Sequence, residues 1–257
     1  MLKPTTKKVN TRRDPLASAS KKVLRRRARY AAKIKEAAEA IKAGAAKHVC
    51  ISPKNDKMGP VPSVSLAPLA TCPFRALGTC GEYCYACGTA DNGCRRGVLE
   101  SWARNTAIYA LDPEAYWMQV RAAIIGSRFF RFHVAGDIPT PAYAAELFKT
   151  AEAYPATDML IFTKQYEYCN TEIEKRGGTW PKNLKLLYSA GPGLDVVNPY
   201  NVPLAVFVPA GEETPDGVKE CGGNCFNCFC AGVGCWMLEP GDAVALHEHG
   251  NGHPRKR

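Results

Sequence analysis

The sequence predicts an α/β protein built as a parallel β/α partial barrel of about six strands, preceded by a basic N-terminal helical arm. Three observations carry this. Short β-branched and aromatic runs alternate with stretches of helical apolar period between residues 63 and 247, the pattern of successive βαβ units. The 257 residues are 46% hydrophobic and 23% charged, enough apolar content for one sizeable core. Charge is split along the chain: residues 1–50 hold 15 Lys and Arg against 3 Asp and Glu, and residues 51–257 hold 19 against 21. An arm of net charge +12 therefore precedes a nearly neutral body, residues 51–257, with a Cys-rich insertion near 221–236.

Residues 1–20 mix Lys, Arg, Pro, Thr and Ser without apolar period and are expected to be disordered. From residue 21 to 47, Tyr30, Ile34, Ala37, Ala38 and Ile41 recur at steps of three and four, which predicts a long amphipathic helix. It either lies solvated on the core or contacts phosphates. A Pro- and Gly-rich connector over 55–63 leads into the body, where strands are expected at 63–67, 129–135, 159–164, 185–190, 204–208 and 243–247. Leu99, Trp102, Ala103, Ala107 and Ala110 mark a helix before the second strand. Asp112 with Pro113, and Thr140 with Pro141, each pair an N-cap with proline at the first helical position. Apolar faces follow both caps, from Tyr116 to Ile124 and from Ala144 to Ala151.

No run of about eighteen apolar residues occurs, and the first thirty residues lack a secretory apolar stretch. A chain neither membrane-spanning nor exported is expected, hence a cytoplasmic one. Twelve cysteines in such a chain point to metal ligation in a reducing compartment rather than to disulfides. Nine of them form two groups, Cys72, Cys80, Cys84 and Cys87, then Cys221, Cys225, Cys228, Cys230 and Cys235; Cys50, Cys94 and Cys169 read as ordinary thiols.

In parallel β/α proteins chemistry gathers at the carboxyl ends of the strands. Here those ends lead into the first cysteine loop, Gly136 and Asp137, Lys164 and Gln165, Ser189 with the turn Gly191–Pro192–Gly193, the second cysteine group, and His247 to His249. Cys80, Cys84 and Cys87 follow a C-x3-C-x2-C spacing that suits three corners of an iron–sulfur cube. Zinc is the alternative, with Cys72 as a fourth ligand. In the second group Cys221, Cys225, Cys228 and Cys235 are the expected ligands of another iron–sulfur cluster or a zinc ion, with Cys230 left out. Period-two alternation sets Arg131, His133, Ala135 and Asp137 on one face, opposite Phe130, Phe132 and Val134. Polar groups on an inner strand face are costly unless used or paired, as in an Arg131–Asp137 pair. His247 and His249 read as a polar terminus in preference to a metal pair.

The C-x3-C-x2-C loop after the first strand resembles the signature of the radical S-adenosylmethionine (SAM) superfamily. More specifically, TCPFRALGTCGEYCYA, FRFHVAGD and CGGNCFNC…GCW are similar to the phage-associated gene product 88 family, radical-SAM-like proteins, over roughly residues 55–249. The resemblance implies that Cys80, Cys84 and Cys87 hold a [4Fe–4S] cluster whose open iron takes SAM. It also implies that Gly136 and Asp137 receive the SAM amino group and that His133 or Arg131 faces the substrate or the SAM carboxylate; the turn with Ser189, Gly191 and Gly193 lacks side-chain bulk and is expected to approach a ribose or carboxylate. A phage-encoded chain would act in the bacterial host cell.

Two functions follow. One is a radical-SAM-like enzyme that acts on a nucleic acid or nucleotide, with a peptide as the lesser alternative, and that needs an electron donor. Its basic arm would neutralise phosphates. The other is a non-catalytic metal protein whose closed four-cysteine sites are structural and whose arm binds nucleic acid. Cys72 discriminates between them, because a fourth thiolate would leave no iron free.

Overall fold

Six of the strands fall where the alternation places them, and two short ones extend the sheet. The computed structural model describes residues 19–55, 58–92 and 97–248. Residues 1–18, Cys94, His249 and the tail after it lie outside the described residues. The strands are β1 (Ile51–Ser52), β2 (Ser63–Val64), β3 (Phe129–Phe132), β4 (Asp158–Thr163), β5 (Leu184–Ala190), β6 (Leu204–Val208), β7 (Lys219–Glu220) and β8 (Ala243–His247). They form one sheet in the order β1-β2-β3-β4-β5-β6-β8-β7, parallel except for β1 on β2. The sheet is open. Each central strand lies beside its predecessor in sequence, as expected when every crossover turns the same way.

The helices are α1 (Lys21–Lys42), α2 (Tyr85–Asp91), α3 (Val98–Leu111), α4 (Pro113–Ile124), α5 (Pro141–Ala153), α6 (Tyr166–Glu174) and α7 (Cys225–Cys230). The two proline-primed starts behave as their sequences dictate. Asp112 accepts from Ala115 N at 3.0 Å and Thr140 Oγ1 from Tyr143 N at 3.1 Å, each satisfying an orphan donor of the first turn. On one sheet face, Phe130, Phe132, Met159, Ile161, Leu184, Leu186 and Tyr188 pack with Tyr116, Trp117, Tyr143 and Phe148 of the helices. The opposite face, carrying Leu160, Leu187, Ala205 and Val244, is covered by Trp236 with Phe229, Cys225, Cys228 and Cys235. The second cysteine group is therefore the lid of the inner sheet face.

The helix expected as an arm is built into the body. Val23 and Tyr30 are fully buried among Leu69, Leu77, Cys87 and Leu99, while Lys21, Lys22, Arg25 and Lys35 face solvent. Buried Asn105 of α3 accepts from Cys50 N at 2.7 Å and donates to Cys50 O and Ser65 O at 2.9 and 3.0 Å. Thr106 Oγ1 accepts from Ala67 N at 2.9 Å. These bonds fix the exit of β2, where the first cysteine loop begins.

Candidate metal centre

The loop from Pro68 to Cys84, with the start of α2, touches the segments that follow β3, β4 and β5 and also β6. Arg75 donates to Lys164 O at 2.7 Å and pairs with both oxygens of Glu167, after β4. Gly193, at φ +72°, lies after β5; a Cβ there would come within 2.8 Å of Thr79 Cγ2. Tyr83 packs on Phe207 of β6 with ring centroids 5.9 Å apart. Tyr85, at the start of α2, donates to Val134 O after β3.

This course gathers the thiols with an ammonium. Burial pushes the Cys80 thiol up, and the nearby Lys164 ammonium opposes that. Cys87 beside it holds the Cys84 thiol down at about 6, and Cys87 is in turn raised by Cys84 and by burial. Burial, then the charges of Asp137, Cys84 and Cys80, push Cys72 up. Cys72 thus belongs to the same neighbourhood. Burial alone would lower the Lys164 ammonium, but Cys80 and Asp137 hold it above its ordinary value.

Asp137 already has three donors within the protein. Its carboxylate, buried at 3% exposure, accepts from Ile138 N at 2.8 Å, Thr163 Oγ1 at 2.5 Å and Lys164 N at 2.9 Å. It ties the β3 exit to the β4 exit. Burial raises its pKa against the pull of Lys164 and these donors. Gly136, at φ +80°, is needed because a Cβ would meet Leu66 O and Thr71 Oγ1 at 2.7 Å. Gly191 is similarly close-packed, its Cβ position 3.2 Å from Phe207 Cβ, and Ser189 O accepts from Tyr166 OH at 2.5 Å.

The single-face expectation for Arg131, His133 and Asp137 fails at His133. That residue sits at φ +56°, in the left-handed region a non-glycine residue seldom adopts, because β3 ends at Phe132 and the chain turns. Its ring packs into the helix-side core, 5.2 Å from the Tyr143 ring, with neither nitrogen hydrogen-bonded. Burial lowers its pKa to about 3, so it stays neutral there. Arg131 keeps the opposite face. Its guanidinium lies 4.7 Å over the Phe162 ring and donates to Cys225 Sγ at 3.2 Å. The expected Arg131–Asp137 pair does not form.

The second group has its own cohesion. Burial lifts the Cys235 thiol to about 12, with Cys221, Cys225 and Cys228 close enough to add to the shift. Gly223 N donates to Cys221 Sγ at 3.4 Å, and Cβ positions on Gly222 and Gly234 would lie 3.5 and 3.3 Å from Cys228 Sγ. Trp236 Nε1 donates to Cys225 O at 2.9 Å. Cys230 is exposed and lines a shallow cleft with Pro60, Pro62 and Phe226, apart from the other four. His247 Nε2 bonds Thr214 Oγ1 at 2.8 Å.

Both donor sets suit a thiophilic metal in kind, with sulfur ligands, a nearby cation and apolar cover. Among the described residues, however, no three His, Cys, Asp or Glu side chains already stand in metal-ligand geometry. Sequence reasoning missed the pairing of Tyr30 with Asp91, by which α1 joins α2 beside Cys87. Tyr30 sits on an apolar stripe, where nothing local marks its hydroxyl.

A family model for gene product 88 matches residues 22–215. The chain belongs to the gene product 88 family. The match takes in α1, which the resemblance read from the sequence left out, and ends before the second cysteine group. No curated protein and no solved structure matches the chain. Among the described residues of this gene product 88 protein, no helix is long and apolar enough to cross a membrane.

Proposed function

We propose that Cys80, Cys84 and Cys87 hold a [4Fe–4S] cluster at the rim and that the chain is a radical-SAM-like enzyme acting on a nucleic acid or nucleotide. One observation carries the reading. The C-x3-C-x2-C loop meets Lys164 at the carboxyl ends of parallel strands that run in sequence order, a sheet we read as a partial barrel. Such a cluster, with one open iron, supplies the electron that breaks a carbon–sulfur bond of SAM. Lys164 would offset the charge of the thiolates. Asp137 and Gly136 hold the β3 and β4 exits in place beneath it. Cys221, Cys225, Cys228 and Cys235 hold a second metal, an iron–sulfur cluster or zinc, with Arg131 as its counter-charge. An electron donor is the implied partner, and the solvent-facing cations of α1 are the surface for phosphates.

Cys72 favours a second reading, because it stands beside Cys80 and Cys84. With four thiolates bound the rim site is closed, and the chain is a non-catalytic nucleic-acid-binding metal protein. Anaerobic reduction with SAM separates the two. The enzyme reading expects 5′-deoxyadenosine from wild type and a Cys72→Ala variant that keeps its rim cluster. Loss of that cluster in Cys72→Ala, with no SAM binding or cleavage by wild type, would overturn it in favour of the closed site.

A further inference from the structure

Between Cys72 and Cys87 the first cysteine loop turns its aromatic side chains outward. Among the described residues the aromatic side chains exposed by about half are Phe74, Tyr83 and Tyr85, at 48%, 57% and 52%. Scattered singly, such rings would need no explanation, but grouped on one loop they mark a surface for contact. Helix α1 lies along the same loop. Ser20, its N-cap, donates from N and Oγ to Glu82 at 2.9 and 3.0 Å, next to Tyr83. Further along the helix, Arg27 donates from Nε to Leu69 O at 3.3 Å and lays its guanidinium 4.4 Å from the centre of the Phe74 ring. These two points are about 10 Å apart along the helix axis, about the length of three stacked nucleotides. Arg26 and Arg29 pair with Asp91. Among the described residues no carboxylate pairs with Arg27, and Lys21 and Lys22 of the first turn face solvent, so the charge at this end of α1 is available to an anion.

We propose that Phe74 and Tyr83, with Arg27, Lys21 and Lys22 beside them, bind unpaired nucleotides of a single-stranded nucleic acid, the bases stacked on the two rings and the phosphates on the cations. The inference rests on the nucleic-acid reading proposed above and names the form of nucleic acid; it does not depend on what the cysteines hold. An unpaired base offers its face to an aromatic ring whatever its identity, whereas in a duplex those faces are covered by neighbouring bases. A guanidinium resting on a ring keeps its Nη donors for a phosphate. Tyr85 is engaged differently, since its hydroxyl donates to Val134 O and ties the loop to the β3 exit. A membrane surface calls for a continuous apolar face, but Arg75 and Glu82 stand between the two rings in sequence, each with polar contacts of its own.

Fluorescence anisotropy with the full chain tests this, using labelled oligo(dT) and a dT·dA duplex of equal length over a series of salt concentrations. Wild type should bind the single strand more tightly than the duplex. Phe74→Ala and Tyr83→Ala should each weaken single-strand binding about tenfold, as the loss of one base stack does, and leave the salt slope unchanged. Phe74→Tyr, which keeps a ring, should bind as wild type. Phe74→Leu keeps apolar bulk without a flat face and reads the same loss if an alanine variant does not fold. Arg27→Gln should weaken binding and lower the salt slope by about 0.7, one phosphate contact on a single strand. Met118→Ala, at an exposed position of α4, is the control and should bind as wild type. Single-strand binding that neither ring variant weakens, or a preference for the duplex, would overturn this proposal and leave the nucleic-acid reading standing. A wild-type chain that binds neither oligonucleotide would overturn that reading itself. Binding to phosphatidylserine vesicles that depends on the two rings, with no such dependence for oligo(dT), would assign the surface to a membrane instead.

Discussion

Replacing Asp137 with alanine is expected to weaken the fold of the rim, whatever ligand the rim holds. Its carboxylate is buried and accepts three hydrogen bonds, from Ile138 N, Thr163 Oγ1 and Lys164 N. Thr163 Oγ1 retains a partner, since it also accepts from Gln165 N at 2.9 Å. The two backbone donors retain none, and each buried donor left unsatisfied costs about 1–3 kcal/mol. The hydroxyl bond to a charged acceptor and the loss of negative charge beside Lys164 bring the total to at least about 3 kcal/mol, a large part of the roughly 5–15 kcal/mol that holds a domain folded. Asp137→Asn keeps one acceptor oxygen but turns an amide N–H₂ toward a donor, so about half that loss is expected. Urea titration followed by circular dichroism, on the full chain with and without metal, reads the difference as a shift in midpoint at constant slope. A loss below about 1 kcal/mol for Asp137→Ala would refute the reasoning, because the three bonds would then be incidental and the carboxylate free to serve a ligand.

Truncation tests the role of α1: deleting residues 1–42 uncovers Leu69, Leu77 and Leu99 and should lower stability by more than about 3 kcal/mol in the same titration, as each buried side chain contributes about 1.5–3 kcal/mol. Deleting residues 1–18 alone should leave the melting temperature within a few degrees and reduce nucleic-acid affinity most at low salt; equal stability of the two truncations would contradict the packing of α1. His133 makes stability depend on pH. Its folded pKa of about 3 lies below the ordinary histidine value of 6.5, so between those values the unfolded chain takes up a proton that the folded chain refuses. Stability therefore falls as pH drops through that window, by up to about 1.4 kcal/mol per pH unit. His133→Leu should flatten this slope, and an unchanged slope between pH 6.5 and 4 would count against a neutral buried ring.

Much of this architecture is legible in the sequence because alternation and proline-primed caps are local signals. The segments at 204–208 and 243–247 match β6 and β8 to the residue, and Asp112 and Thr140 cap the helices their prolines announce. Strands β1 and β7, two residues each, carry no period to detect and exist through pairing with an edge. Helix α6 gives little signal, since its buried Tyr166, Cys169 and Ile173 make only a brief stripe. The convergence of rim residues follows from the strand order, but their roles do not. Period two places Arg131 correctly and misplaces His133, because the left-handed turn that ends β3 leaves no mark in a histidine. Asp137 looks free in sequence and accepts from three donors, two of them backbone groups whose positions only the fold supplies. The charges of the basic helix suggest an arm, whereas its buried stripe and Tyr30 decide where it sits.

The central claim is that the C-x3-C-x2-C loop binds iron and sulfide. The direct measurement is the iron and labile-sulfide content, with the visible spectrum, of the anaerobically purified full chain and its Cys80→Ala, Cys84→Ala and Cys87→Ala variants. Brown wild-type protein with enough iron and sulfide for at least one four-iron cluster is expected, and each variant should lose one cluster equivalent while keeping whatever metal the second cysteine group holds. Colourless, folded wild-type protein that carries zinc and no sulfide, or three variants with the iron content of wild type, would contradict the account.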